Sequence, residues 1–324
     1  MKNEFKIGML ILFFSIIATK TQAQQIFDGN IKNNSLAISP TENIALASNS
    51  DVNFVSVYNL KSHKLIKKIF GFISPRNIIF SPDGMKFYIT DSSTGFLTVL
   101  ETKKFKIIEK YAVGFGAFGS AISNNGQEIY INNEATNTVT VIDLSSKSVK
   151  KIITGFAEPR QGIKLNATNT KIYVTNFASD AISVVDAATL KIDTTITGFS
   201  KIRAISITKD GETLFAANSG SNSIAVVNLN TGIIAQTISV GKDPYGASLS
   251  SDENILLSGN KEDNSLSIID VPTLTNIGVI TGFNEPRQAI VYSKNGKNVF
   301  VLNKDLSISV VNLSEKKIIY SIQN

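Results

Sequence analysis

The chain has 324 residues, 43% apolar and 18% charged, with a formal charge of +6, one histidine, and neither cysteine nor tryptophan. This apolar, weakly charged composition excludes a disordered chain. Without cysteine there are no disulfides or thiolate metal sites, and without a run of Lys and Arg there is no nucleic-acid-binding arm.

The first element is a targeting segment. Lys2 and Lys6 precede an apolar run over residues 7–18, and Thr21-Gln22-Ala23 places small residues at both cleavage positions. The run is too short to span a bilayer and fits the core of a signal peptide. It predicts cleavage after Ala23, a mature chain of residues 24–324 and a periplasmic or extracellular location. An uncleaved anchor is the alternative. No later segment is long and apolar enough to be a membrane helix.

A repeat then occupies the rest of the chain. Gly-Phe recurs at Gly71, Gly114, Gly155, Gly198 and Gly282, with Gly241-Lys242 in the missing place, at spacings of 41 to 43 residues. Each pair is followed by an apolar strand, a turn, and a second strand ending in Asn or Asp. Those ends are Asn49, Asp91, Asn133, Asn176, Asn218, Asn260 and Asn303. A third strand ends at Asn59, Glu101, Asp143, Asp186, Asn228, Asp270 and Asn312, and a fourth leads to the next glycine. Short β-branched runs separated by turns such as Ser81-Pro82-Asp83-Gly84 indicate antiparallel hairpins.

Seven such units predict an all-β fold, a seven-bladed β-propeller of four-stranded antiparallel blades. A lone meander cannot bury both faces, and radial stacking buries them all. Ile182, Val184 and Val185 break strict alternation, as a strand covered on both faces does. The predicted blades span residues 30–70, 71–113, 114–154, 155–197, 198–240, 241–281 and 282–324. Residues 316–322 supply blade seven with its own fourth strand. Closure is therefore expected by face packing between blades one and seven, with residues 24–30 as an accessory strand.

A shift of 127 residues superimposes blades two to four on blades five to seven. Arg76 falls on Arg203, Gly119 on Gly246, and Glu158-Pro159-Arg160-Gln161 on Glu285-Pro286-Arg287-Gln288. Blade one matches the third member of this cassette.

Tyr173-Val174-Thr175-Asn176, the Val141-Ile142-Asp143 strand end and the Pro-containing lead-in after Gly resemble the YVTN family of β-propeller repeats. The resemblance covers the mature chain. It implies an exported propeller, similar to surface-layer proteins and, more distantly, to lactonase-like and haem-carrying propellers.

His63 falls in a turn between the third and fourth strands of blade one, far from a catalytic position. One His and no Cys leave the usual zinc and haem ligand sets incomplete, and no cofactor is expected. Asp210-Gly211 and Asp252-Glu253 fall where hairpin turns belong, without EF-hand spacing. The Asn/Asp ring closes turns by bonding nearby backbone.

The channel mouth remains. Counting back from each first-strand end places Asn34, Arg76, Phe118, Gln161, Arg203, Tyr245 and Gln288 around one rim, with Arg160 and Arg287 one residue earlier. Arg76, Phe118, Arg160, Arg203, Tyr245 and Arg287 are the candidate binding residues. Guanidinium groups suit carboxylates and phosphates; pairing with Glu158, Glu285 or loop carbonyls is the structural alternative. These features predict a non-enzymatic binding or scaffold module that takes a protein, an anionic glycan or a small ligand at the mouth. A lactonase- or lyase-like enzyme and a carrier of a small anion are the alternatives.

Overall fold

In a computed structural model, residues 32–324 are described. They form seven four-stranded antiparallel sheets, each from one continuous stretch of chain, arranged as a seven-bladed propeller. The expected signal segment and the accessory strand expected at residues 24–30 lie outside the described residues. Among those described, the one helical element is the 3-10 turn Glu134–Thr136, and no helix is long and apolar enough to cross a membrane.

Burial explains the sequence pattern strand by strand. Second and third strands such as Lys171–Asn176 and Ala181–Asp186 are buried on both faces. They need β-branched residues at successive positions, not alternating ones. Fourth strands such as Lys106–Ala112 alternate between exposed and covered, because only their inner side meets a neighbour. Every third–fourth pair carries a register shift at the same place, for example between Val184 and Val185. Such bulges twist the outer edge and blunt it against pairing with another chain.

The first strands line the axis. They are Asn34–Ile38, Pro75–Phe80, Ala117–Ile122, Pro159–Leu165, Ile202–Ile207, Ser248–Leu249 and Ile290–Tyr292. Their pairing with the second strands is irregular at one end. The register shifts between Pro75 and Asn77, Pro159 and Ile163, and Ile202 and Ile205. In blade six it is reduced to an isolated bridge, Pro244 to Asn260. Close packing adds to the irregularity. A Cβ at Gly119 would lie 2.2 Å from the Gln161 carbonyl oxygen of the next blade.

The Asn/Asp ring holds this end together. Asp91 accepts backbone N–H bonds from Ile73, Ser74, Ser93 and Thr94. Asn303 accepts from the Asn284 N–H at 3.0 Å and donates to Ser307 and Ser309. The ring therefore closes the local turn and also fixes the loop leading into the first strand, 18 to 19 residues back.

The ring of blades closes by face packing. Leu36, Ala45, Ala47 and Tyr58 of blade one join Leu302, Leu306, Ile308 and Val310 of blade seven in one buried cluster. The Tyr58 hydroxyl, wholly buried, donates to the Leu306 carbonyl at 2.6 Å. Ser56 donates to the Asn324 side chain at 2.7 Å. His63 sits in its exposed turn and stacks on Tyr320 at 4.2 Å. Tyr58→Phe strands a buried carbonyl at this seam. It should cost about 1–3 kcal/mol in urea unfolding without changing the m-value. An unchanged midpoint would mean that closure rests on the apolar cluster alone.

Candidate functional site

The irregular ends of the first strands form the channel mouth. Arg76, Phe118, Arg160, Gln161, Arg203 and Tyr245 all fall in stretches where the ladder is interrupted or shifted. A residue in a bulge is re-aimed relative to the regular pleat. Here the effect is to bring four blades' side chains into one stack.

The stack alternates cations with rings. The Arg160 guanidinium lies 3.5 Å from the Phe177 ring centroid, and Arg203 lies 4.6 Å from the same ring. Arg203 is also 4.3 Å from Tyr245, which carries Arg287 at 5.2 Å on its own account. Cation–π contacts of this kind hold guanidinium groups of like charge close together by placing π-electron density between them. Above the stack lies a bowl of about 590 Å³, lined by Lys32, Arg160, Arg203, Lys261, Arg287 and Lys304 against only Asp51 and Glu285.

Most of these cations already have partners. Arg160 pairs with Glu158 at 2.8 Å, Lys261 with Asp243 at 3.0 Å, and Lys32 with Asp51. Glu285 takes both Arg287, at 3.3 Å, and Lys304, at 2.5 Å. Arg287 further donates to the Lys32 carbonyl across the seam. Arg203 is the exception. Its Nε donates to Ser219 Oγ at 2.9 Å, and among the described residues its two terminal nitrogens have no acceptor. Desolvation lowers its pKa, and the neighbouring cations Arg160 and Arg287 act in the same direction. Guanidinium nevertheless stays charged at any ordinary pH.

Arg76 has a different environment. It is 1% exposed, as is Phe118, so both lie beneath the mouth and not on it. Its Nε donates to Ser92 Oγ at 2.6 Å, an Nη donates to Asn33 Oδ1 at 3.1 Å, and the guanidinium covers Phe118 at 4.5 Å. The two copies of the cassette therefore repeat one motif: Arg76 with Ser92 and Phe118, Arg203 with Ser219 and Tyr245. The difference is the acceptor. Asn33 caps Arg76, and the residue 127 positions after Asn33 is Arg160, which cannot accept a hydrogen bond.

Several contributors escape the rim counting. Phe177, Lys261 and Lys304 each follow directly after the Asn that ends a second strand, in phase with Ser50, Ser92, Glu134 and Ser219. That constant offset was the available signal. Glu134 is the acid of this second ring. One of its carboxyl oxygens is sealed from solvent without a hydrogen-bond partner. Burial raises its pKa, and the nearby Arg160 and Arg76 offset this in part. In the second cassette its counterpart is Lys261. Among the described residues no three carboxylate or imidazole groups converge as metal ligands. The chemistry on offer is recognition of negative charge.

Residues 168–277 match the family described as Lactonase, 7-bladed beta-propeller. The segment includes Phe177, Arg203 and Tyr245. No curated protein matches the chain. Among solved structures, a chain of Kuenenia stuttgartiensis Hydrazine Synthase is similar, at 15% identity over 93% of this chain and 99% of that one, with a TM-score of 0.78. The likeness is one of fold.

Two measurements separate the roles of these side chains. Arg76→Ala should destabilise by on the order of 3 kcal/mol, because it opens a cavity and strands Asn33 and Ser92. Arg203→Ala should cost only about 1 kcal/mol; equal costs in thermal unfolding would make both structural. Glu134 gives a pH signature. Its folded-state pKa is raised, so stability falls as pH rises from the ordinary carboxylate value through the raised one. Glu134→Gln should therefore melt higher than the wild type near pH 7 but not near pH 4. A shift of the same size at both pH values would mean that ionisation of Glu134 carries no cost.

Proposed function

We propose that this chain is an exported binding module whose mouth takes an anionic group, a carboxylate or phosphate, on Arg203. The observation that carries the reading is the pair of terminal nitrogens on Arg203, without an acceptor among the described residues and held between Phe177 and Tyr245 in a bowl with six cations and two carboxylates. A planar fork whose two terminal donors have no acceptor among the described residues fits a two-oxygen acceptor. Its orientation is set by the rings and by Ser219, so little side-chain entropy is lost on binding. The surrounding Lys and Arg raise the local potential and draw anions in, and salt screens this attraction. Replacement of Asn33 by Arg160 and of Glu134 by Lys261, between one cassette and the next, supports the same reading: each change removes an acceptor or an acid from the neighbourhood of the arginine.

The targeting segment at residues 1–23 supports export, and the missing His and Cys inventory supports binding over catalysis. A protein or an acidic glycan presenting carboxylates is the partner expected at the rim. The match over residues 168–277 favours a second reading, a lactone-hydrolysing enzyme, with the anion site holding a substrate carboxylate.

Calorimetric titration with inorganic phosphate and with oligogalacturonate tests the first reading. Wild type should bind more weakly as salt rises, and Arg203→Ala should lose about tenfold or more in affinity, the value of hydrogen bonds to a charged group. Equal affinity in Arg203→Ala would overturn it. Hydrolysis of five- or six-membered lactones by wild type, lost in Arg203→Ala, would favour the enzyme.

A further inference from the structure

Below the mouth the propeller axis opens into a second cavity of about 300 Å³. Amide groups separate it from the bowl. Asn33 donates to Gln161 Oε1 at 3.0 Å, and Gln161 donates in turn to Asn77 Oδ1 at 2.8 Å, so one side chain of blade four bridges to blades one and two. Gln288 reaches the Asn34 carbonyl at 2.6 Å. Gln161 thus lines the lumen and also a small pocket beside Arg160 and Arg203.

Among the described residues, Lys164 is the one ionisable side chain lining this lumen. It lies one position before the end of Pro159–Leu165, away from the mouth, and pairs across the ladder with Tyr173. Among the described residues its ammonium has no hydrogen bond and no ion pair. The side chain is exposed to the water of the lumen, and the crowding of the surrounding strands still holds its pKa below the ordinary lysine value. A lone cation between close, uncharged walls draws an anion into the channel.

The repeat shows that the fold does not require a lysine here. The positions at the same register in the other blades are Ala37, Ile79, Ala121, Ser206, Ser248 and Val291. The two direct counterparts, 127 residues before and after, are Ala37 and Val291. Every other blade packs this level with a neutral side chain, and only blade four carries a charge.

We propose that the lumen is a second binding site, for a small monocarboxylate, anchored on the Lys164 ammonium and reached from the end opposite the Arg203 mouth. The volume sits at the lower end of those that take small organic ligands. One cation matches one carboxylate. Ser35, Asn77 and Ser120 give the wall polar points, and Ile79, Leu249 and Val291, each partly exposed, give it apolar surface for a short carbon chain. The amide bridge makes this site independent of the bowl.

Reductive methylation with ¹³C-formaldehyde labels each lysine for NMR, and the Lys164 signal is assigned by its absence in Lys164→Val, the side chain blade seven uses. Lys164→Arg gives the assignment if that variant does not fold. In wild type, saturating sodium butyrate should raise the pH midpoint of the Lys164 signal by about one pH unit, as an opposite charge in contact does. Butyrate affinity should fall tenfold or more in Lys164→Val, while phosphate binding at the mouth stays unchanged. Arg203→Ala should keep the butyrate response. A Lys164 signal indifferent to butyrate, or undiminished butyrate affinity in Lys164→Val, overturns the lumen site. Loss of the response in Arg203→Ala would place butyrate at the mouth alone; that also overturns the lumen site and leaves the reading of Arg203 standing.

Discussion

Each blade has two central strands covered on both faces, and that constraint governs the molecule. Residues such as Leu46, Ile89, Val141 and Val227 are wholly buried only because a neighbouring sheet lies against them. A single sheet cannot meet the requirement, nor can an open row of seven, whose end blades would each expose an apolar face. The ring has to close, and it does so through the Leu36–Tyr58–Leu306 cluster without exchanging a strand among the described residues. Closure then crowds seven first strands around one axis. Regular pairing gives way at one end, where Gly119 lies against the next blade's backbone.

The mouth is a product of that crowding. Where the ladder is interrupted, side chains leave the pleat and meet those of neighbouring blades. The ladder Arg160–Phe177–Arg203–Tyr245–Arg287 draws on blades four to seven, and no two successive members belong to the same hairpin turn. On the opposite side Arg76 is sealed by Asn33 and Ser92. The same motif therefore serves as a strut in one half of the ring and presents a free guanidinium fork in the other. What separates them is the partner available to the terminal nitrogens.

A propeller of this kind carries unrelated activities, and a shared fold says little about which. The similarity to a hydrazine synthase chain and the partial match to a lactonase family meet at the architecture. To that architecture this chain adds a cationic bowl on one face, an amide partition beneath it, and a lysine in the lumen. Arg160, Lys164 and Arg203 sit on first strands crowded around the axis, and Lys261 and Lys304 stand on the turns that follow second strands.

Much of the fold was legible in the residues. The in-phase Asn and Asp positions, the Gly-Phe spacing and the uninterrupted apolar runs determine seven four-stranded blades, because each reports a local requirement: a turn to close, a positive φ, or two faces to cover. The rim arginines were also legible as positions, through the 127-residue echo. Their roles were not. Whether Arg76 or Arg203 is free depends on Asn33 and Arg160, which approach from other blades and are remote in the chain. Phe177 belongs to a second ring of residues that only the closed propeller brings beside the first. Lys164 looks like one more polar residue of an ordinary strand. Tertiary structure alone decides that this strand faces the lumen, where no carboxylate among the described residues lines the wall.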